Sequence, residues 1–211
     1  MRKELRGLLC YQKSFIGSHN VVIMPELWTW ERCGPDILSL RNRLGFGEEI
    51  CFLKYCIKDT GKVYDNLHEE SVSAPGPLYW VLFHYAQAEE VPLSLELVTY
   101  DKLPGGYAFY GAFRQLAVEP LLDVFGEKRG DFEKCCLHFE GAERSFGDVS
   151  FLIPALPLVP ITVILWEKTD EFPPRCTLLY DKSAQNYLPT EDLAFLGELL
   201  SRRLIEALKK V

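Results

Sequence analysis

The sequence predicts an α+β fold in which helices pack on one side of a mostly antiparallel sheet. Ile161 to Trp166 is a continuous apolar run with β-branched residues, which is typical of a strand covered on both faces. Cys176 to Tyr180 is a second strand-like run, and Pro173-Pro174 lies in the predicted hairpin loop between them. A leucine stripe from Leu193 to Leu208, behind a Thr190 N-cap, predicts a closing helix that covers the sheet.

The N-terminal part of the chain carries weaker patterns. Gly7 to Phe15 fits a helix and an irregular lead-in equally well, and Asn20 to Met24 is typical of a short strand. Asp36 and Gly45 fit the start and the C′ position of a helix of about nine residues. Glu49 to Ile57, which a turn at Asp59-Thr60-Gly61 follows, predicts one arm of a hairpin.

The middle of the chain predicts further elements in sequence. Apolar residues at helical spacing indicate a helix from Pro77 to Ala86. The alternation of residue types from Leu93 to Tyr100 indicates a strand with one face more exposed to solvent than the other. Val149 to Ile153 predicts a short strand, after which three prolines favour extended or turn geometry up to Ile161. Two other helices are predicted, from Phe109 to Phe125 with a kink or restart at Pro120, and from Phe132 to Phe139.

Composition and charge limit the classes of protein to consider. Hydrophobic residues make up 48% of the chain and charged residues 25%, which is ordinary for a globular protein. A chain of 211 residues is predicted to form a single domain over residues 1–211. The net charge of -7, from 23 basic and 30 acidic side chains, argues against nucleic acid as a partner, because nucleic-acid binding needs a basic face.

The sequence predicts neither a secretory signal nor a membrane span. The apolar stretch behind the N-terminal charges, Leu8 to Cys10, is too short for a signal peptide. The longest apolar run, Leu152 to Trp166, carries three prolines and falls short of the ~20 residues that a membrane helix needs. We therefore expect a cytoplasmic protein, and the odd number of cysteines, 7, agrees with free thiols in a reducing compartment.

Familiar catalytic and metal-binding patterns are missing or incomplete. Cys51 and Cys56 lie five positions apart, which on one strand places them on opposite faces. Cys135 and His138 fit one helix face, but two ligands do not make a metal site, and buried thiols beside a surface histidine are the favoured interpretation. His84, in an apolar helix, fits a core or edge histidine better than a catalytic base. No metal site is predicted, and the cofactor is unknown.

The acidic segment after the predicted central strand is the candidate ligand site. Carboxylates gathered at one end of the sheet, with Asp181 at the close of the neighbouring strand, could bind a cation or act as an acid-base pair. The alternative is a solvated loop that salt bridges hold in place. The predicted site consists of Trp166, Glu167, Asp170, Glu171 and Asp181, with Arg114 or Arg175 as the counter-charge.

The same region carries a resemblance to a known family. The W-E-x-x-D-E-F-P-P string from Trp166 to Pro174 is its most specific part, and Leu178 to Ala184, Leu103 to Gly106 and Pro77 to Tyr85 also match. From about Glu48 onward, the chain resembles the uncharacterised bacterial and archaeal family DUF3786, a domain of unknown function.

The family has no assigned activity, so the resemblance implies only a context. It implies relatives in anaerobes, some with an iron-sulfur cluster domain ahead of this one, and a redox or corrinoid protein as partner. This chain lacks the clustered cysteines of such a domain. We therefore expect an accessory or ligand-binding module. The alternatives are a metal-assisted enzyme that uses Glu167, Asp170 and Glu171, or a protein-interaction domain without a small ligand.

Overall fold

The computed structural model describes residues 27–211, which form two antiparallel sheets and the helices that pack against them. This arrangement confirms the predicted α+β class, although the sequence indicated one sheet rather than two. The predicted segments Gly7 to Phe15 and Asn20 to Met24 lie outside the described residues. None of the helices between residues 27 and 211 is long and apolar enough to cross a membrane.

The smaller sheet has four short strands in chain order, and each pairs with the next. They are β1 (Ile50–Phe52), β2 (Tyr55–Ile57), β3 (Val63–Asp65) and β4 (Glu70–Ser71). The predicted hairpin across Asp59-Thr60-Gly61 is confirmed, because β2 pairs with β3. Its first arm does not extend back to Glu49, however, because the chain already reverses at Leu53 and Lys54. Both residues have positive φ, 45° and 66°, as a two-residue hairpin turn with the twist of its strands requires.

The larger sheet has five strands in the order β5-β9-β8-β7-β6. They are β5 (Leu97–Thr99), β6 (Ala142–Arg144), β7 (Val149–Leu156), β8 (Val159–Trp166) and β9 (Arg175–Asp181). β8 is buried along almost its whole length, which confirms the central strand. The strand β7 is longer than predicted, since a register shift between Ile153 and Leu156 accommodates Pro154 within it.

The strand predicted from Leu93 to Tyr100 is reduced to the three residues of β5. Leu95 has a φ of 61°, which breaks extended geometry just before the strand begins. Ser94 and Leu95 instead donate their backbone N–H groups to the carboxylate of Asp181, as described below. The alternating pattern was therefore correct only at its C-terminal end.

One described helix precedes the strands, and the others lie between and after them. They are α1 (Trp30–Leu38), α2 (Gly76–Ala86), α3 (Gly106–Phe113), α4 (Glu119–Phe125), α5 (Arg129–His138) and α6 (Thr190–Ala207). A π-helical segment, Arg114–Val118, joins α3 to α4, so that Pro120 stands in the first turn of a restarted helix. The predicted helices near Pro77, around Pro120 and before Phe139 are confirmed within a few residues.

The first helix departs from its predicted position. The helix α1 begins at Trp30 and contains both Pro35 and Asp36, so Asp36 does not cap it and Gly45 does not follow its end. Its buried side chains, Cys33 and Ile37, lie on both sides of the proline in sequence, and that apolar face decides where the helix lies.

The closing helix α6 is confirmed and lies across other helices that cover the larger sheet. It contacts the π-helical segment, α4 and α5, while α4 contacts β9 and α5 contacts β7. The Tyr180 hydroxyl donates to the Leu193 carbonyl over 2.7 Å, which ties the helix to β9. Thr190 is the first helical residue rather than the N-cap, and its hydroxyl donates to the Pro104 carbonyl.

Candidate functional site

Three of the predicted site residues lie at one end of the larger sheet. Trp166 ends β8, and the guanidinium of Arg175, at the start of β9, lies 5.4 Å from the centre of its ring. The backbone N–H of Glu167 donates to Asp148 over 2.8 Å, and its carboxylate lies 3.4 Å from Arg129. These contacts fix the position of Trp166 and Glu167, where the acidic loop begins, and the residues that form them are exposed or half-buried.

The other members of the predicted site do not join them. Asp170 and Glu171 are exposed, and neither side chain forms a hydrogen bond or an ion pair with another residue in the described range 27–211. Arg114 lies in the π-helical segment and pairs with Glu119 at 3.5 Å. A binding role for the acidic loop stays a prediction.

Asp181 does not share this end of the sheet, and the prediction that it does is wrong. Because β8 and β9 are antiparallel, Arg175 pairs with Trp166 while Asp181, six residues on, lies ~20 Å away beside Leu97. The sequence placed it by strand order without accounting for strand direction.

The carboxylate of Asp181 is buried and serves the local backbone. It accepts bonds from the backbone N–H groups of Ser94, Leu95 and Ser183, at 2.7 to 2.9 Å, and from both serine hydroxyls. Burial raises its pKa, but the bonds from Ser183 and Ser94 outweigh burial and leave the pKa below its ordinary value. The Asp-x-Ser pattern at 181–183 was the sequence signal for this cap.

A cavity of about 400 Å³ lies where the smaller sheet meets α5 and the β7–β8 turn. We call it the hairpin cavity, because the turn between β1 and β2 forms one of its walls. Its apolar lining consists of Phe52, Leu53, Phe139, Pro154 and Pro157, and its polar lining of Lys54, Asn66 and Glu140. Cys51 and Cys56 complete the wall.

The two cysteines of the hairpin cavity form a disulfide bond. The turn at Leu53 and Lys54 places Cys51 directly opposite Cys56, with their Cα atoms 4.2 Å apart. Two expectations from the sequence are therefore wrong: the residues do not point to opposite faces, and the thiols are not all free. The error has one cause, since the turn contains neither glycine nor proline and gave no signal.

The other described cysteines are free thiols. Cys33, Cys135 and Cys136 are buried, and burial raises the pKa of Cys135 to about 11 and that of Cys136 well above its ordinary value. In residues 27–211, no group of three or more His, Cys, Asp or Glu side chains is placed to hold a metal ion.

Arg203, on α6, holds the turn between β1 and β2. Its side chain is fully buried, its Nε donates to the Leu53 carbonyl over 3.0 Å, and its two terminal nitrogens donate to the Asp65 carboxylate over 2.6 and 2.8 Å. The guanidinium also lies 4.1 Å from the centre of the Tyr55 ring. A buried charge with its donors satisfied in this way holds the turn in one conformation.

Asp65 receives a further bond from His68 Nδ1 over 2.8 Å. Burial raises the pKa of Asp65, but the hydrogen bonds from Arg203 and His68 outweigh it and lower the pKa to about 2. The carboxylate is therefore ionised at neutral pH, where it forms an ion pair with Arg203.

Asn66 contacts the disulfide itself. Its side-chain Nδ2 donates to Cys56 Sγ over 3.1 Å, and its backbone N–H donates to the Lys54 carbonyl over 2.8 Å. On the same wall, the Lys54 ammonium lies 3.8 Å from the Glu140 carboxylate. A hydrogen-bond donor at a sulfur atom stabilises the thiolate form, so the arrangement distinguishes Cys56 chemically from Cys51.

A second histidine–aspartate pair lies elsewhere, between α2 and α6. His84 Nδ1 lies 2.6 Å from the buried carboxylate of Asp192, and the ring of Trp28 packs edge-on against His84. Burial raises the pKa of Asp192 to about 6, although the bond to His84 opposes this. His84 is a half-buried, hydrogen-bonded edge histidine, as the sequence favoured, and it does not line the hairpin cavity.

Comparison with known protein families places most of the chain in one of them. The model of the family described as Domain of unknown function (DUF3786) matches residues 49–203. That range contains all the residues that line the hairpin cavity. It ends at Arg203, the residue that holds the turn in the cavity wall. No curated protein matches the chain, and no solved structure does.

Proposed function

The chain belongs to the DUF3786 family, a domain of unknown function, and we propose that it is an accessory module that binds a small ligand in the hairpin cavity. The cavity itself carries the proposal. Its volume of about 400 Å³ falls in the range that small-molecule sites occupy, roughly 300 to 1,000 Å³.

The lining of the cavity favours a ligand with an apolar body and one polar end. Phe52, Phe139 and Pro154 supply apolar walls, while Lys54 and Asn66 supply donors along one side. A few polar groups on an apolar wall fix the orientation of a ligand, which is the usual composition of such sites. The Lys54 ammonium lies 3.8 Å from the Glu140 carboxylate, its one ion-pair partner among residues 27–211, so a carboxylate on the ligand could replace that partner.

The acidic loop supports a function less well. A metal-assisted enzyme would need Glu167, Asp170 and Glu171 to converge, and the structure places Asp170 and Glu171 in exposed positions. A protein-interaction role would leave the hairpin cavity unexplained. We also propose, from the sequence, that the module works beside a redox or corrinoid protein. The same proposal places it in the cytoplasm.

The experiment is a titration of the full chain with a panel of small aryl carboxylates, followed by ¹H–¹⁵N NMR. We expect shift changes at Asn66, Cys56 and Glu140, which border the cavity. Replacement of the exposed Pro154 by Tyr should fill the cavity and abolish the changes. Pro104→Tyr is the matched control, since Pro104 is also exposed but lies outside the cavity. Changes that map to another surface, or that persist in Pro154→Tyr, would contradict the proposal.

A further inference from the structure

We propose that the Cys51–Cys56 disulfide is a thiol–disulfide exchange site and that its reductant is a low-molecular-weight thiol held in the hairpin cavity. The inference deepens the proposed function, on which it rests, because it names the chemical class of the ligand. It also adds an activity, since the bound thiol reacts with the wall of its own site.

The position of the disulfide makes it reachable. Cys51 and Cys56 are each half-buried and both line the cavity, whereas Cys33, Cys135 and Cys136 are free and buried. The chain thus pairs the two cysteines that line the cavity and leaves the other described cysteines unpaired, including Cys176, which is half-buried but does not line the cavity. Accessible disulfides of this kind are the exchangeable ones.

The hairpin does not depend on the disulfide for its shape. The bridged cysteines are only five residues apart in sequence, and backbone pairing of β1 with β2 already brings them together. Arg203 holds the Leu53 carbonyl, and Asn66 holds the Lys54 carbonyl, on the two residues of the turn. A disulfide that closes so short a loop restricts the unfolded chain little and therefore adds little stability. We infer that its role is chemical rather than structural.

The surroundings of the two sulfur atoms differ and set the direction of attack. Asn66 donates to Cys56 Sγ, so the negative charge that develops on a leaving thiolate is stabilised there. The sulfur with the better-stabilised thiolate leaves faster. The incoming thiolate therefore attacks Cys51 Sγ, and Cys56 is the leaving group.

The reaction consumes two thiols and two electrons pass to the protein. The first thiolate bonds to Cys51 Sγ, the Cys51–Cys56 bond breaks, and its electron pair stays on Cys56 as a thiolate. A second thiolate attacks the outer sulfur of this mixed disulfide, which releases Cys51 as a thiolate and forms the small-molecule disulfide. The two protons lost by the thiols are taken up by the two cysteines, so the net products are a protein dithiol and one oxidised small molecule.

The test equilibrates the full chain in buffers that contain reduced and oxidised glutathione in varied ratios. Free thiols are then blocked with N-ethylmaleimide, and the cysteines are mapped by mass spectrometry. We expect the disulfide and the dithiol to interconvert across the series while circular dichroism stays unchanged. We also expect early samples to carry glutathione on Cys51 and maleimide on Cys56. Glutathione on Cys56 instead, or reduction only after urea is added, would overturn the inference.

Asn66→Ala tests the role of the amide. Loss of the hydrogen bond to a developing thiolate should slow reduction by glutathione about fivefold. Asn186→Ala is the matched control, because Asn186 donates its amide to the Ser183 carbonyl, away from the cavity. Equal rates in the two variants would overturn the assignment of Cys56 as the leaving group, and thermal unfolding shows whether either variant has lost its fold.

A thioether separates this inference from the proposed function. S-methylglutathione cannot exchange, so its binding reports on the cavity alone. We expect it to bind and to inhibit reduction, and we expect the reduction rate to saturate with glutathione. Binding without any reduction would overturn the exchange site and leave the ligand cavity standing. A rate that rises linearly, with no thioether binding, would overturn the cavity-bound thiol, whereas the proposed function falls only if the aryl carboxylates also fail to bind the cavity.

Discussion

Arg203 shows how one side chain joins distant parts of this chain. Its bonds reach Leu53 and Asp65, which lie 150 and 138 positions away in sequence. The position was visible in the sequence, since an arginine at 203 falls on the apolar face of α6 with Leu199 and Leu200. A charge on such a face indicates a buried partner, but the sequence could not identify Asp65 as that partner.

Replacement of Arg203 by Met should destabilise the fold strongly. The change keeps most of the side-chain volume but leaves the buried Asp65 carboxylate without its main partner, a loss of roughly 3 to 5 kcal/mol. Urea unfolding at neutral pH measures it. Arg202→Met is the control, because Arg202 is half exposed and pairs weakly with Glu206, so the expected loss is below about 1 kcal/mol. Similar losses in the two variants would contradict the role given to Arg203.

The Asp65 carboxylate should make stability depend on pH in the acid range. Its pKa falls from 3.8 in the unfolded chain to about 2 in the folded protein. An acid whose pKa is depressed on folding stabilises the fold at pH values above its unfolded pKa, and this contribution is lost as the pH falls through the folded pKa. The contribution is about 2 kcal/mol, present above pH ~4 and gone near pH ~2.

The measurement is the unfolding free energy of the native chain minus that of Asp65→Asn, at intervals from neutral pH downward. We expect this difference to be constant to about pH 5 and then to shrink. The exposed Asp123→Asn is the control for general acid effects. A difference that stays level into strong acid would show that the pKa of Asp65 is not depressed.

At the scale of elements, the β1–β2 hairpin depends on contacts from outside itself. Leu53 and Lys54 hold positive φ without glycine, which is costly for non-glycine residues. Their carbonyls accept bonds from Arg203 and Asn66, and these bonds stabilise the turn. The disulfide adds about 2 kcal/mol at most, because the loop that it closes is short. The hairpin should therefore survive reduction, as the exchange site requires.

The packing of α6 depends on a glycine. A Cβ atom at Gly197 would overlap the Tyr180 hydroxyl and lie 2.9 Å from the Phe113 ring, so the missing side chain lets the helix approach β9 closely. Tyr180 also donates to the Leu193 carbonyl across the same contact. The leucine stripe predicted the helix, whereas Gly197 determines how near it lies to the sheet.

Gly197→Ala should lower the free energy of unfolding by about 1 to 3 kcal/mol, since the added methyl forces Tyr180 or the helix to move. Thermal or urea unfolding measures the loss. Gly111→Ala is the matched control: Gly111 is also helical, but nothing lies within 4 Å of a Cβ built there. That variant should gain up to about 1 kcal/mol from higher helix propensity. An unchanged free energy of unfolding in Gly197→Ala would contradict the close packing of Gly197 against Tyr180 and Phe113.

At the scale of the whole molecule, the two sheets differ in how well the sequence predicted them. The hairpin of β8 and β9 and the helix α6 follow from periodicity within one segment, and both were found. The four strands of the smaller sheet contain two or three residues each, too few for a period to show. The hairpin cavity draws its walls from the smaller sheet, α5 and the β7–β8 turn, so no single stretch of sequence indicated it.

The sequence alone determined the α+β class, the buried central strand, the leucine-lined closing helix and the membership of the DUF3786 family. These follow from local patterns, because a period or a motif needs only neighbouring residues. Only the tertiary structure decided that Asp181 lies at the far end of the sheet from Trp166, that Cys51 faces Cys56, and that Arg203 supports their turn. Strand direction, turn conformation and pairs more than 100 residues apart depend on packing, which a linear pattern does not record.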